Sequence, residues 1–112
     1  MEEHKEPISI DVLINDIKAY SPTADIALIR RAYELAEKAH SGQRRVSGEA
    51  YIIHPLHVAK ILTDLHMDDA TVSAALLHDV VEDTIYTNEE MQQMFGEEIA
   101  MLIDGVTKLG KL

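Results

Sequence analysis

The sequence predicts an all-α domain of about six helices, and the spacing of its apolar residues carries that prediction. Through most of the 112-residue chain, apolar residues recur every three or four positions, which is the period of an amphipathic helix. No stretch shows the alternation of polar and apolar residues that is typical of a half-buried strand. Hydrophobic residues make up 46% of the chain but aromatic residues only 4%. Aliphatic side chains must therefore fill the core, which favours helices.

The helix ends are placed by residues that stop or start a helix. Pro22 stops the first helix because proline cannot continue one, and Gly96 stops the fifth. Pro55 suits the first position of the third helix, which would leave His54 near its N-cap. The expected helices cover roughly residues 9–20, 24–40, 55–66, 69–83, 88–95 and 97–107.

Polar residues that suit an N-cap precede the fourth and fifth helices. Asp68, Asp69 or Thr71 can cap the fourth helix, and Thr87 or Asn88 can cap the fifth. The fourth helix is apolar nearly all round, which is expected of a helix at the centre of a domain. We therefore expect the other helices to pack around it.

The third helix is expected to bury one apolar face. Val58, Ile61, Leu62 and Leu65 follow His54 on that face. His54 would then lie at the end of a buried face, with its imidazole toward the core. In the last helix, the same spacing predicts an inward face that ends near residue 106.

The remaining segments are predicted to lie outside helices. Residues 1–7 form a polar N-terminal tail, and residues 43–49 form a loop because they have neither helical nor strand periodicity. Residues 51–53 are expected to be a short extended approach to the third helix. Residues 8–112 then form one domain, since no internal repeat or linker divides them.

Composition and charge exclude several classes of partner. The formal net charge of −10 argues against nucleic acid, which requires a basic surface. No apolar run approaches the roughly 20 residues of a membrane span, so no membrane partner is expected. The chain has no cysteine, which excludes thiolate metal ligands and suits a cytoplasmic location. A phosphorylated small molecule stays compatible with this charge if local cations or a metal offset it.

Residues 76–84 hold the strongest candidate site. His78, Asp79, Glu82 and Asp83 lie inside or directly after the apolar run 70–81, and the spacing places His78 one turn from Glu82 and Asp79 one turn from Asp83. Such groups are costly to bury unless they are paired, hydrogen-bonded or bound to a metal. A structural polar network or a solvated helix end is the alternative to a metal or catalytic site.

A metal site would combine this segment with the histidine that opens the third helix. His54, His78 and Asp79 offer two imidazoles and a carboxylate, a set that suits Mn²⁺, Fe²⁺, Zn²⁺ and similar ions. Three protein ligands with open positions are typical of a catalytic site. Glu82 and Asp83, one turn beyond the ligands, could orient or deprotonate a water as general bases.

Several strings of the sequence carry a resemblance to a known family. They are Gly42-Gln43, Arg45 with Ser47-Gly48-Glu49, Tyr51-Ile52-Ile53-His54-Pro55, His78-Asp79-Val80-Val81-Glu82-Asp83-Thr84 and Asp104-Gly105-Val106-Thr107-Lys108-Leu109. The histidine of the third string followed by the His-Asp pair of the fourth looks like the start of the HD phosphohydrolase signature. Together the strings resemble the hydrolase domain of the RelA/SpoT family, over about residues 24–112.

This resemblance implies a function in the stringent response. The family's all-helical HD domain removes the 3′-pyrophosphate from (p)ppGpp, giving GDP or GTP, and depends on Mn²⁺. Carried over, the resemblance makes His54, His78 and Asp79 metal ligands and makes Glu82 and Asp83 the pair that activates the attacking water. Relatives limited to synthesis have lost these residues, so the chain resembles the hydrolysis-competent type.

The resemblance also places nucleotide-binding residues on the predicted loop. Arg45, with Ser47 near it, falls on the segment that contacts the guanine nucleotide. That segment usually reads Arg-Lys-Ser-Gly-Glu-Pro-Tyr, whereas Val46 and Ala50 stand here in place of the lysine and the proline. Either Arg44 supplies the lost charge or the affinity for nucleotide is lower.

A larger departure concerns the fourth metal ligand. In the family it is an aspartate on a later helix, in an Ala-Asp-Arg-Leu-His-Asn context, and nothing in the chain matches it; Asp104 lies too early to be its equivalent. We therefore expect the N-terminal part of an HD domain, incomplete at its C-terminus, with weak or absent hydrolysis. Core faces left exposed in such a domain would favour a homo-oligomer.

Two other functions stay open on the sequence. One is a non-catalytic nucleotide-binding regulatory module, against which Glu82 and Asp83 speak, because a sensor needs no pair that activates water. The other is an HD phosphohydrolase that acts on a different phosphorylated nucleotide. The loop around Arg45 favours guanine alarmones over that alternative by resemblance.

Overall fold

The computed structural model describes residues 8–41 and 51–110, with side chains in these ranges as far as residue 106. The predicted N-terminal tail and the loop at 43–49 lie outside the described residues. Within them the chain forms helices and no strand, so the all-α prediction is confirmed. The helices are α1 (Ile10–Tyr20), α2 (Ile26–Ala39), α3 (Ile53–Asp64), α4 (Asp69–Asp83), α5 (Asn88–Phe95) and α6 (Glu97–Gly110).

The helix α4 lies at the centre of the fold, as its apolar sequence predicts. It packs against α2, α3 and α6, while α1 covers α3 and α2, and α5 packs against α6. Nearly every residue from Ala70 to Val80 is buried, and Leu76 and Leu77 have no exposed surface. A helix buried on all sides fixes the direction of each side chain it carries, including any polar one.

Side-chain caps fix the beginnings of α4 and α5. The Asp68 carboxylate accepts a hydrogen bond of 2.9 Å from the Thr71 backbone N–H, as a helix N-cap does. Thr87 and Glu90 form a capping box, in which each side chain accepts a hydrogen bond from the other residue's backbone N–H. Gly96 ends α5 with a φ of 100°, a conformation that glycine adopts at little cost.

The third helix begins two residues earlier than expected. Residues 51 and 52 form a turn rather than an extended approach, and α3 starts at Ile53, so His54 lies inside the first turn. Leu56 already donates its backbone N–H to the Ile52 carbonyl oxygen at 3.2 Å. Pro55 is tolerated at the third helical position because the first N–H groups of a helix have no partner within it. Pro55 therefore indicated the first turn of α3 correctly, but it is not the first residue of that helix.

The buried face of α3 also differs from the expected one. Leu56, Ala59 and Thr63 are buried, whereas Ile61 and Leu65 are 58% and 62% exposed. The apolar stripe of this helix is wider than the surface that α1 and α4 cover. Packing against those two helices selected the part of the stripe that became core.

Other large apolar side chains are also exposed among the described residues. Val106 is 40% exposed, although the spacing of α6 predicted it to point inward. The remaining ones are Met67, Ile85, Met94 and Met101. Homo-oligomerisation through such surfaces stays a prediction. None of the described helices is long and apolar enough to span a membrane.

Two leucines with opposite environments test the central position of α4. We expect Leu77→Ala to lower the free energy of unfolding by about 2–5 kcal/mol, because the side chain is fully buried and its removal leaves a cavity. The matched substitution Leu65→Ala removes an exposed side chain and should change stability by about 0.5 kcal/mol at most. Urea unfolding followed by circular dichroism at the helical band measures both, and equal losses would contradict the central packing of α4.

Candidate metal centre

Three candidate ligands meet where the first turn of α3 packs against the second half of α4. His54 belongs to that turn, and His78 and Asp79 are neighbours in α4. One ligand atom of each residue lies within 4.8 Å of the others. His78 Nε2 is 3.1 Å from Asp79 Oδ1, and His54 Nε2 is 3.7 Å from Asp79 Oδ2. The fold therefore brings together the three residues that the sequence singled out, while their role as ligands stays a prediction.

A hydrogen bond on the far side of the ring sets the orientation of His78. Its Nδ1 is 2.8 Å from the carbonyl oxygen of Ala75, one turn earlier in α4. Because a carbonyl oxygen only accepts, Nδ1 carries the proton, and the lone pair of the neutral ring lies on Nε2, which faces Asp79. Histidines that bind metals usually make such a second hydrogen bond, since it fixes both tautomer and ring orientation.

The carboxylate of Asp79 is the buried charge of the cluster. The residue is 7% exposed, and its Oδ2 is buried without a hydrogen-bond partner among the described residues. An unpaired buried carboxylate oxygen is costly, and a neutral Nε2 lone pair facing the carboxylate adds repulsion unless a proton or a cation lies between them. Two imidazole nitrogens and a carboxylate suit divalent transition metals, so these residues fit such an ion.

A proton on His78 would relieve this repulsion, and the directions of the two pKa shifts favour it. The hydrogen bond with Asp79 raises the pKa of His78, and it outweighs burial of the ring, which lowers it. Burial alone would raise the pKa of the Asp79 carboxyl, but the hydrogen bond with His78 and the nearby imidazoles of His78, His54 and His40 bring it below its ordinary value. The two groups therefore favour an ion pair, which a metal would have to displace.

The predicted pair of general bases lies at the solvent end of the same helix. Glu82 and Asp83 are exposed in the last turn of α4, so water can reach both. The charge of Glu82 also contributes to the raised pKa of His78, which places Glu82 close to the cluster. The phenol of Tyr51 donates a hydrogen bond of 2.6 Å to Asp83 Oδ2. Neither carboxylate belongs to the three-ligand cluster, which agrees with a role on water.

The predicted nucleotide-binding residues cannot be placed in this site. Arg44, Arg45 and Ser47 lie outside the described residues. Their contacts with a guanine nucleotide stay a prediction that rests on the resemblance of the loop.

Two residues near the site received no role from the sequence. His40 is 3% exposed at the end of α2, and its ring lies parallel to that of Tyr51, with the ring centroids 4.5 Å apart and the planes 15° apart. A histidine that ends an apolar helical face is a signal of burial, but the sequence does not show what it faces. The contact with Tyr51 depends on the turn before α3 folding back onto α2.

A cleft of about 520 Å³ opens beside Asp83. Its volume falls within the roughly 300–1,000 Å³ of small-molecule sites. Lys38 brings a positive charge into the wall of the cleft, where it lies with the negative charge of Asp83. The lining residues are Lys38, Ala39, Asp83, Thr84, Ile85 and Tyr86.

The helical fold and the His-Asp cluster define an HD domain, and a family model described as "HD domain" matches residues 32–112. Similar proteins include a "GTP pyrophosphokinase rsh" of Brucella ovis, 49% identical over 100 residues, and a "GTP pyrophosphokinase" of Myxococcus xanthus, 50% identical over 95 residues. A third is the "Bifunctional (p)ppGpp synthase/hydrolase SpoT" of Escherichia coli K12, 51% identical over 96 residues. The chain therefore belongs to the RelA/SpoT family of HD-domain proteins.

These matches cover most of this chain but little of each relative. The aligned segments include 89%, 85% and 86% of the chain, in that order, and 13%, 12% and 14% of the Brucella, Myxococcus and Escherichia proteins. The likeness thus concerns one domain of much longer proteins.

Removing single ligands should weaken metal binding selectively. We expect His54→Ala, His78→Ala and Asp79→Asn each to weaken Mn²⁺ binding by about tenfold or more, because each removes one of three ligand atoms. His57→Ala, an exposed histidine of the same helix as His54, is the matched control and should bind Mn²⁺ as the unmodified protein does. Electron paramagnetic resonance of free Mn²⁺ measures the affinities. Equal affinities for all four variants would exclude this centre.

The ion pair of the metal-free cluster predicts a pH dependence of stability. The raised pKa of His78 stabilises the fold below about pH 6.5, and this contribution is lost as the pH rises through the folded-state pKa. The lowered pKa of Asp79 stabilises the fold above about pH 3.9, and this contribution is lost as the pH falls through the folded-state pKa. Both contributions are present together between about pH 4 and 6.5.

Asp79→Asn removes both contributions at once. The loss in the free energy of unfolding that this substitution causes should be largest between about pH 4 and 6.5 and smaller at pH 8. Urea unfolding in the presence of a chelator measures it. Leu65→Ala removes no titratable group and should show a constant difference across this range. A difference for Asp79→Asn that does not vary with pH would contradict the ion pair.

Proposed function

We propose that the chain takes part in the Mn²⁺-dependent hydrolysis of the 3′-pyrophosphate of (p)ppGpp, which yields GDP or GTP and pyrophosphate. The observation that carries this proposal is the convergence of His54, His78 and Asp79 beside two exposed carboxylates. The relative whose name includes a (p)ppGpp hydrolase is 51% identical to this chain over 96 residues, which supports the choice of substrate. The proposed location is the cytoplasm and the proposed context the stringent response.

His54, His78 and Asp79 would hold the metal through two imidazole nitrogens and a carboxylate oxygen. When bound, the metal polarises a phosphoryl oxygen and lowers the pKa of a water molecule. Asp79 contributes the negative charge that attracts the cation into a half-buried position. The hydrogen bond from His78 to the Ala75 carbonyl oxygen keeps its Nε2 directed at the site.

Glu82 and Asp83 would accept the proton of the attacking water. Both lie on the last turn of α4, one turn beyond the ligand pair, so the same rigid helix sets their distance from the site. A carboxylate in water is a weak base, and its neighbours must hold it within reach of the water for it to act. To act as general bases, Glu82 and Asp83 must therefore be held in a suitable orientation.

The substrate is highly anionic, whereas the chain carries a net charge of −10. Local cations must offset this field. Lys38 supplies one in the cleft beside Asp83, and Arg45, Ser47 and Arg44 are the proposed contacts to the nucleotide. We therefore place the phosphates of the substrate near the metal site and the cleft.

The described residues offer three of the four metal ligands that the resemblance to the family implies, so we propose that the metal is bound loosely. We expect this chain to need Mn²⁺ well above micromolar concentrations and to hydrolyse the alarmone slowly. A dissociation constant in the micromolar range or below would contradict this part of the proposal.

Pyrophosphate release from ppGpp under saturating Mn²⁺ tests the proposed function. We expect Glu82→Gln to lower the rate by about 10²–10⁴-fold, the usual effect of losing a general base, and His78→Ala to abolish release. His57→Ala serves as the matched control. Unchanged rates in Glu82→Gln and His78→Ala would contradict the mechanism, whereas faster release from another phosphorylated nucleotide would favour a different substrate.

A further inference from the structure

The turn that precedes α3 reaches the solvent end of α4 through one side chain. Tyr51 lies in that turn and donates its phenolic hydrogen to Asp83 Oδ2 at 2.6 Å. A hydrogen bond from a hydroxyl to a carboxylate is among the stronger kinds, and 2.6 Å is within its expected length of roughly 2.5–2.7 Å. The contact joins residues 32 positions apart in the chain, so it exists only in the folded protein.

The tyrosine ring is itself held in place. It lies parallel to the ring of His40, with centroids 4.5 Å apart, and His40 is 3% exposed at the C-cap of α2. The backbone N–H of His40 donates to the Ala36 carbonyl oxygen at 3.0 Å, which anchors this residue to α2. The Tyr51 hydroxyl therefore points at Asp83 from a ring that is held in place by stacking on the buried His40.

An exposed aspartate at a helix end ordinarily samples several rotamers. Here the hydrogen bond occupies Oδ2 and restricts the rotation of the carboxylate. The other oxygen, Oδ1, can then accept a hydrogen bond from water. Asp83 lies one turn beyond Asp79 in the same helix. Fixing the Asp83 side chain therefore fixes the position of its carboxylate relative to the proposed metal ligands.

We propose that Tyr51 is a positioning residue: supported by the ring of His40, it holds the Asp83 carboxylate in the orientation from which Asp83 acts on the attacking water. This inference rests on the proposed function. Tyr51 binds neither metal nor phosphate in this role and acts through Asp83. Its removal therefore lowers turnover without changing metal affinity.

Tyr51→Phe tests the role because it keeps the ring on His40 and removes only the hydroxyl. We expect kcat for pyrophosphate release from ppGpp to fall by about tenfold, the effect of one lost hydrogen bond, with KM and Mn²⁺ affinity unchanged. In an Asp83→Asn background the same substitution should have no further effect on kcat. Tyr33→Phe is the matched control, because the Tyr33 hydroxyl donates to Glu37 away from this site.

A measurement that needs no activity separates this inference from the proposed function. Scalar couplings of the Asp83 side chain, measured by nuclear magnetic resonance, should show one χ1 rotamer in the unmodified protein and in Tyr33→Phe, but averaging in Tyr51→Phe. An unmodified protein that fixes this rotamer yet releases no pyrophosphate would refute the proposed function and support the orienting contact. Equal rotamer populations in Tyr51→Phe and the unmodified protein, or a change in KM in place of kcat, would overturn the inference.

Discussion

The burial of one carboxylate, that of Asp79, is the constraint on which the rest of the structure depends. The middle of its helix is mostly apolar, as is expected of a helix at the centre of a small all-α domain. Placing a charge there is costly, and the cost is offset by the imidazole of the neighbouring His78 in α4 and by those of His54 in α3 and His40 at the end of α2. The same arrangement makes this carboxylate tolerable and suits the role of metal ligand that we propose for it, because both depend on positive charge beside Asp79.

The packing of α4 and the chemistry of the site are therefore linked. The leucines of the core hold the helix rigidly, and that rigidity sets the positions of the His78-Asp79 pair and of the two carboxylates one turn further on. Burial decreases along these last turns, from the buried Asp79 to the exposed Glu82 and Asp83. A group that holds a cation benefits from a low dielectric, whereas a group that accepts a proton from water must be reachable by water. One helix end meets both requirements.

The helices were predictable from the sequence because their signals are local, whereas the metal-ligand roles of His54, His78 and Asp79 stay a prediction. Apolar periodicity and capping residues such as Asp68, Thr87 and Gly96 act within a few positions of one another. The predicted start of α3 was wrong because a proline such as Pro55 can occupy any of several positions in the first turn of a helix. The buried face of that helix was wrong in part, since Ile61 belongs to its apolar stripe yet finds no helix to cover it.

What the sequence by itself determined is the class of fold, the central helix and the residue types that could bind a metal, because composition and spacing fix these within one helix at a time. Only the tertiary structure decided which of these residues meet. It brought His54 to the His-Asp pair across the contact of α3 with α4, and it laid Tyr51 on His40 within reach of Asp83. Such contacts depend on how helices cross and which faces they cover, and no local pattern encodes that geometry.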